Sequence, residues 1–165
     1  MQINSVTELF IHSLSDIYSA EKQLTRALSK LARESSSSEL SEAFKKHYEE
    51  TQGQIERLDQ LVEAEPNIKL KRMKCHAMEG LIDEANEVIE ATEKGSVRDA
   101  GLIAAAQKVE HYEIASYGTL CALASQLGLK KAQQLLAETL EEEKTTDTLL
   151  TKIATSSINQ KAESK

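Results

Sequence analysis

Two glutamates one helical turn apart stand in the segment 107-QKVEHYEIASYG-118. Glu110 and Glu113 have apolar neighbours and lie in a long stretch that contains no helix-breaking residue. Residues three apart share one face of an α-helix, so both carboxylates are expected on or beside the face that this helix buries. Glutamates paired in this way on facing helices build the metal centres of di-iron carboxylate proteins.

Other carboxylates recur at the steps of three and four that mark the core-facing seam of a helix. Glu21 is the one polar member of a seam that is otherwise apolar from residue 10 to residue 31. The remaining candidates in such seams are Glu50, Glu143 and Asp147. His47 lies one turn before Glu50, and we interpret it as a core or neighbouring histidine rather than a ligand.

The candidates also agree in depth. Glu21 and Glu50 lie about equally far from the turn near residue 36, and Glu113 and Glu143 lie equally far from Gly128. Each distance is about 15 residues, or roughly 22 Å along a helix at about 1.5 Å per residue. We therefore expect all four helices to bring carboxylates to one central layer.

A buried layer of carboxylates costs several kcal/mol unless something neutralises it. Bound divalent metal ions, or protonation with raised pKa values, would do so. No lysine or arginine occupies the seams near this layer. The residues thus leave two interpretations open, a metal centre and a protonated polar layer.

The composition predicts an all-α protein to position these residues. Of 165 residues, 40% are hydrophobic, only six are glycine and one is proline, and such chains favour helices. Breaks at serine-rich, proline and glycine positions separate the helical patterns. We predict helices at about Ser5–Arg33, Ser38–Glu65, Cys75–Lys94, Val97–Leu127 and Lys130–Ala154.

The predicted helices form two hairpins joined by a connection of about 30 residues, which holds the shorter helix. This order predicts a ferritin-like four-helix bundle with one long crossover. We assign residues 1–155 to a single helical domain and residues 156–165 to a polar, frayed tail. Serines are expected to cap three helices, in the pairs Ser5 with Glu8, Ser36 with Glu39, and Ser96 with Asp99.

The charge and the hydropathy of the chain exclude several classes of partner. The formal net charge of −7 argues against nucleic acid or an anionic membrane surface as the main partner. No apolar stretch reaches the roughly 20 residues that span a bilayer, and the first residues do not resemble a signal peptide. Cys75 and Cys121 are expected to be buried thiols of a cytoplasmic protein.

Nearly the whole chain resembles the YciF/YciE family of bacterial stress proteins, which belongs to the ferritin-like superfamily. The resemblance is carried by the segments 18-YSAEKQL-24, 47-HYEETQGQIERLDQ-60, 71-KRMKCHAMEGLIDEANEVIE-90, 107-QKVEHYEIASYG-118 and 140-LEEEKTTDTLL-150. It implies a homodimeric helical bundle with a role in stress. Relatives such as rubrerythrin bind two irons and reduce peroxides. By position, the metal ligands that the superfamily implies are Glu21, Glu50, Glu110, Glu113 and Glu143.

The chain departs from that superfamily where histidine ligands are expected. Gly53 and Thr146 stand three residues after the glutamates of the second and last helices. Gln54 and Asp147, one residue further on, share a face with those glutamates. The implied site is rich in oxygen and suits Mn, Fe, Mg or Ca better than copper, and we expect two ions of Fe or Mn. The missing histidines weaken the case for ferroxidase or peroxidase activity.

Two functions fit these residues. One is a stress-associated protein whose di-metal site takes part in iron or peroxide chemistry. The alternative is a non-enzymatic dimeric stress protein whose carboxylate layer is free of metal or binds a structural cation. A phosphotransfer role for His47 or His111 is disfavoured by the acidic residues beside His47.

Overall fold

The helices end where glycine, proline and serine interrupt the sequence. The structure is a computed structural model of the chain and describes residues 2–164. Helix bounds differ from the predicted ones by a few residues at most. The helices are α1 (Val6–Glu34), α2 (Ser38–Ala64), α3 (His76–Ala91), α4 (Ser96–Gln126), α5 (Lys130–Ile153) and α6 (Asn159–Glu163), with a π-helical turn at Ala154–Ile158 between the last two.

Four of these helices close into a ring. α1 packs on α2, α2 on α5, α5 on α4, and α4 on α1. The long crossover from α2 to α4 carries α3, which lies against both α1 and α4. This arrangement confirms the predicted all-α bundle with one long crossover and an added shorter helix.

The core fills the space between the four long helices. The seam of α1 is buried throughout its length, and α4 buries a parallel line of small and large apolar residues. Apolar burial at about 25 cal/mol per Å² is the main force that holds such a bundle together. The largest fully buried side chains are Tyr117, Phe10, Phe44, Leu14, Ile17, Leu24, Leu28, Leu40, Leu61, Met78, Leu102 and Ile103.

The start of α2 is capped differently from the prediction. Ser37, not Ser36, is the N-cap, and its Oγ accepts a hydrogen bond of 3.3 Å from the backbone N–H of Leu40. Asp99 of α4 accepts two further bonds, each 2.8 Å, from the backbone N–H groups of Ser36 and Ser37. The predicted Ser96–Asp99 box is therefore wrong, because the Asp99 carboxylate instead accepts bonds from the turn that precedes α2.

Two other helix ends follow the prediction. Ser5 caps α1, and its Oγ accepts a 3.1 Å bond from the backbone N–H of Glu8. Gly128 has a φ of 71°, a left-handed conformation that glycine adopts without strain. That conformation lets the chain reverse from α4 into α5.

The last residues are helical rather than frayed. The helix continues past Ile153 through the π-helical turn and α6, and both segments pack on α4. Ile158 is 2% exposed. Its burial anchors the polar tail, so the fraying predicted for this tail is wrong. Within residues 2–164 no helix is at once long enough and apolar enough to cross a membrane.

Candidate metal centre

Four buried glutamates meet at mid-height in the bundle. Glu21 comes from α1, Glu110 and Glu113 come from α4, and Glu143 comes from α5. Each side chain is at most 1% exposed. They occupy core-facing positions that leucine, phenylalanine and alanine fill elsewhere along the helices. The same helix faces therefore carry both the apolar core and the buried carboxylates. The structure brings these four predicted residues together.

His47 of α2 completes this layer. Its Nε2 lies 3.1 Å from Oε1 of Glu110 and 3.8 Å from Oε2 of Glu143. One ligand atom from each of His47, Glu110, Glu113 and Glu143 lies within 4.8 Å of all the others. The sequence favoured a core or neighbouring histidine over a ligand at this position. The place of His47 in the seam, one turn before Glu50, was the signal that it faces the carboxylates.

Glu50 lies at the rim of the layer. Its side chain is 26% exposed, its Oε1 is 3.2 Å from Nζ of Lys46, and its Oε2 is 3.9 Å from Nδ1 of His47. Thr51, the next residue along the chain, is fully buried and takes the core-facing position that was predicted for Glu50. The hydroxyl of Thr51 donates to the backbone carbonyl of His47, which satisfies it without a charge.

Asp147 lies outside the layer, on the surface between α4 and α5. Its Oδ2 is 3.2 Å from Nε2 of His111, and its Oδ1 accepts a 3.1 Å bond from Nε2 of Gln107. Thr146, and not Asp147, is buried one turn after Glu143. Asp147 thus lies away from the group of ligand atoms that surrounds His47.

Two neutral side chains donate to the carboxylates. The hydroxyl of Tyr117 donates to Oε1 of Glu21. Nε2 of Gln54 donates to Oε1 of Glu143 at 2.5 Å and to Oε2 of Glu142 at 3.0 Å. The helical pattern by itself does not distinguish Tyr117 from a tyrosine that only packs in the core. Tyr117 follows Glu113 by four residues, and this spacing was the available signal.

An ion pair closes the outer side of the site between α2 and α5. Arg57 donates to both carboxylate oxygens of Glu142, at 3.1 and 2.8 Å, and to Oγ1 of Thr139 at 2.6 Å. Because Gln54 donates to Glu142 as well, the pair is linked to the buried layer. Glu142 is therefore part of this network rather than a freely solvated carboxylate.

Several buried oxygen atoms of the layer have no hydrogen-bond partner. Such atoms lose the hydrogen bonds of water without replacement, at about 1–3 kcal/mol each and more when charged. Among the residues that the structure describes, neither nitrogen of His47 has a partner in hydrogen-bond geometry, so its approach to Glu110 is an ionic contact. The unpartnered carboxylate oxygens are Oε2 of Glu21, Oε2 of Glu110, both oxygens of Glu113 and Oε2 of Glu143.

Burial raises the pKa values of three of the glutamates. Burial raises the pKa of Glu21 to about 7, although the bond from Tyr117 lowers it. Burial and then the charge of Glu21 raise the pKa of Glu113 well above 4.5. Burial also raises the pKa of Glu143 well above 4.5, against the opposing effect of His47. Without a cation, these carboxyls therefore retain protons at a pH where exposed glutamates have lost them.

The pKa of His47 is also raised, but for another reason. Burial, the largest single effect, lowers the pKa of His47, but the charge of Glu110 and the contacts with Glu110, Glu50 and Glu143 together raise that pKa well above 6.5. At the rim, the contact with His47 lowers the pKa of Glu50. Without a cation, these shifts favour a protonated imidazole and neutral carboxyls in the layer.

The donor set fits a divalent metal centre. Three carboxylates and one imidazole converge in this group of ligand atoms, and Glu21 lies beside it against Glu113. Their unpartnered oxygens are available to bind a cation. The charge of two divalent ions equals that of four ionised glutamates with a neutral histidine. Oxygen-rich sites with one or a few imidazoles suit Mn and Fe, while thiolates, which softer metals prefer, are absent from this group of ligand atoms.

Known proteins resemble this chain in both sequence and fold. The sequence pattern of the family described as domain of unknown function DUF892 matches residues 5–163. Protein YciF of Escherichia coli strain K12 is 68% identical over 165 residues, which is all of this chain and 99% of that protein. These matches confirm the resemblance predicted from the sequence.

The solved structures agree. The crystal structure of the E. coli stress protein YciF has a TM-score of 0.93 at 68% identity and covers 96% of this chain and 100% of that chain. YcfI from Rhodopseudomonas palustris has a TM-score of 0.86 at 43% identity, with coverage of 91% and 95%. The architecture described above is therefore the one that these relatives share.

Proposed function

Because the chain belongs to the DUF892 family and is similar over its full length to a bacterial stress protein, we propose that it is a stress protein with a di-metal centre. The centre binds two Fe or Mn ions within the buried layer and takes part in iron or peroxide chemistry. The ligands are His47, Glu21, Glu110, Glu113 and Glu143.

The single observation that carries this proposal is the convergence of unpartnered carboxylate oxygens on one histidine. Five such oxygens are buried in the layer, and the ligand atoms of four residues lie within 4.8 Å of one another. A structural polar layer would satisfy these atoms with hydroxyl or amide donors. Within residues 2–164, such donors reach only one oxygen each of Glu21 and Glu143, and the remaining oxygens are left for a cation.

The protein's own residues prepare the site. Tyr117 fixes Glu21, and Gln54 fixes Glu143, so two of the ligands are oriented before an ion arrives. Burial excludes bulk water from the layer. When bound, an Fe or Mn pair supplies the redox chemistry toward peroxide or dioxygen that protein side chains lack. Glu50 at the rim offers a partly exposed carboxylate where a cation first meets the site.

The direct test is the metal content of protein purified without chelators or a histidine tag. We expect about two Fe or Mn ions per chain, as in other di-metal bundles, and loss of both in a Glu21→Ala/Glu113→Ala variant. A Glu138→Ala/Glu141→Ala variant, which removes two exposed carboxylates of α5, is the matched control and keeps its metal. Protein that stays empty and refuses Fe(II) under anaerobic conditions would contradict the proposal.

The redox part has its own readout. Protein loaded with Fe(II) is expected to change its visible absorption when peroxide is added, and the Glu21→Ala/Glu113→Ala variant is not. If metal is bound but the absorption does not change, the metal is a structural cation and the proposed peroxide chemistry is contradicted.

The raised pKa values of the layer favour a second candidate function. A non-enzymatic dimeric stress protein could hold the layer with protons, because Glu21, Glu113 and Glu143 all favour the neutral form. This alternative predicts that the metal-free protein is fully stable and that alanine at Glu21 and Glu113 leaves it equally or more stable. The dimer itself, which the family resemblance implies, is measured by light scattering or ultracentrifugation.

A further inference from the structure

A cavity of about 450 Å³ lies on the outer side of α1, lined by none of the residues of the carboxylate layer. One wall is α1, and the other is the segment of residues 70–73 in the crossover. Among the residues that the structure describes, its wall includes four basic side chains and no acidic one. The basic residues are Lys22, Arg26, Lys71 and Arg72.

Three hydrogen bonds hold the second wall against the first. The backbone N–H of Lys71 donates to Oγ of Ser15 at 2.9 Å, and that of Cys75 donates to Oγ of Ser19 at 3.0 Å. Nε2 of Gln23 donates to the carbonyl of Cys75 at 3.0 Å. The acceptors and the donor on α1 are four residues apart, on one face of the helix. The segment between these bonds is therefore fixed before any ligand binds.

The charge of this cavity opposes that of the chain as a whole. Acidic residues outnumber basic ones by seven, 27 against 20. Within residues 2–164, Lys22, Arg26 and Arg72 have no carboxylate oxygen within 4.0 Å. Nζ of Lys22 lies 4.3 Å from the ring centre of Tyr18, which keeps that charge at the cavity wall. Like charges gathered in this way repel one another until an anion neutralises them.

We propose that this cavity binds a small diphosphate-bearing anion, either inorganic pyrophosphate or the diphosphate of a nucleotide. Arginine forms paired hydrogen bonds to phosphate oxygens, and lysine adds a mobile point charge. The volume lies in the range of small-molecule sites, about 300–1,000 Å³. Leu70 and Met73 supply an apolar part of the wall, where an organic group attached to the diphosphate would lie. This site is independent of the proposed metal centre.

The test is calorimetric titration of the full chain with pyrophosphate, ADP and adenosine. We expect pyrophosphate and ADP to bind and adenosine not to bind, with affinity falling between about 50 and 200 mM salt as the charges are screened. Tighter binding of ADP than of pyrophosphate assigns a role to the apolar wall, and equal binding assigns recognition to the diphosphate alone. Failure of both phosphate compounds to bind at the lower salt concentration would overturn the proposal.

Two triple variants separate a built site from general electrostatics. Lys22→Ala/Arg26→Ala/Arg72→Ala removes three charges of the cavity and is expected to weaken pyrophosphate binding by about tenfold or more. The control removes three exposed charges elsewhere and is expected to change the affinity less than about twofold. Equal weakening in both variants would overturn the proposal, and circular dichroism checks that both remain folded. The control substitutions are Lys130→Ala, Lys131→Ala and Lys152→Ala.

Discussion

His47 brings an imidazole ring into a layer of carboxylates, and the protonation of each group depends on the others. Glu110 raises the pKa of His47, while burial raises the pKa values of Glu113 and Glu143. A protonated His47 and a divalent cation compete for the same oxygens, because both neutralise Glu110. Metal binding at this site is therefore expected to release protons.

The stability of the metal-free protein is predicted to fall as the pH rises. Glu21 has a pKa of about 7 in the folded chain, against the ordinary value of 4.5 for an exposed glutamate. A carboxyl with a raised pKa stabilises the fold while it is protonated, so its contribution is complete below 4.5 and is lost as the pH rises through about 7. The shift corresponds to about 3 kcal/mol for Glu21 alone, and the raised pKa of His47 acts in the same direction.

Urea unfolding in the presence of a chelator measures this dependence. The unfolding midpoint is expected to decrease between about pH 5 and pH 8. In a Glu21→Gln variant, which resembles the protonated acid at every pH, the decrease is expected to be smaller. A midpoint that is constant or increases over this range would contradict the role given to the buried carboxyls.

Tyr117→Phe is predicted to destabilise the metal-free protein by about 1–3 kcal/mol, because it leaves both oxygens of Glu21 without a donor. The pKa of Glu21 is expected to rise further, since the bond from Tyr117 lowers it. Tyr48→Phe is the control, because the hydrogen bond that the Tyr48 hydroxyl accepts from Gln52 is exposed. Equal effects of the two substitutions in urea unfolding would count against the buried hydrogen bond.

For individual residues, sequence spacing could predict that a carboxylate layer exists but not every residue that belongs to it. From His47 to Gln54 a seam can step by three and then four through Glu50, or by four and then three through Thr51. Both choices fit the same periodicity. The structure buries Thr51, whose hydroxyl is satisfied by the backbone, because burial of another charge costs more. The same ambiguity placed Asp147 in a seam where Thr146 is buried.

The stability of each helix depends on hydrogen bonds to the backbone groups at its ends. Asp99→Ala is predicted to destabilise the protein by about 1–2 kcal/mol, because it removes the acceptor of two backbone N–H groups at the start of α2. Ser96→Ala is the matched control from the same turn of α4. The Ser96 hydroxyl is buried without a partner, so its loss is expected to be neutral or stabilising. Thermal unfolding that shows the reverse order would contradict this capping.

Two glycines of α4 are predicted to respond oppositely to alanine. A Cβ at Gly118 meets nothing within 4 Å, so Gly118→Ala is expected to stabilise the helix by up to about 1 kcal/mol. A Cβ at Gly101 would lie 2.6 Å from Cγ1 of Val88 in α3, so Gly101→Ala is expected to destabilise by about 1–3 kcal/mol. Calorimetric melting of both variants tests how closely α3 packs. Stabilisation by Gly101→Ala would show that α3 moves away at little cost.

Element types and order were predictable, because proline, glycine and serine interrupt long runs of helix-forming residues. Caps were less predictable, since the partner of a helix end need not be close in sequence. Asp99 lies more than 60 residues from Ser36 and Ser37, and only the packed bundle shows that they meet. The tail was predicted to fray because it is polar, and the single buried side chain of Ile158 decides otherwise.

For the molecule as a whole, metal removal is predicted to lower the melting temperature. An ion bound only by the folded state stabilises it by about 4 kcal/mol at a concentration a thousandfold above its dissociation constant. Chelation of the loaded protein is expected to lower the melting temperature, and a Glu113→Gln variant is expected to melt at the same temperature with and without chelator. An unchanged melting temperature of the parent protein would mean that no ion contributes to the fold.

The basic cavity is a property of the folded molecule and could not have been predicted from the sequence. Lys22 and Arg26 lie almost 50 residues from Arg72, and neither group is unusual by itself. They face one cavity because the crossover is bonded along α1. Net charge describes the whole chain and conceals such a local reversal of sign.

The side chains of the central layer are divided between the two hairpins. Glu21 and His47 belong to α1 and α2, whereas Glu110, Glu113 and Glu143 belong to α4 and α5. During synthesis on the ribosome the first hairpin emerges with two of the five residues, before α4 and α5 bring the other three. A nascent chain thus lacks the complete layer, and the proposed site would be able to bind iron or manganese only after α5 has docked.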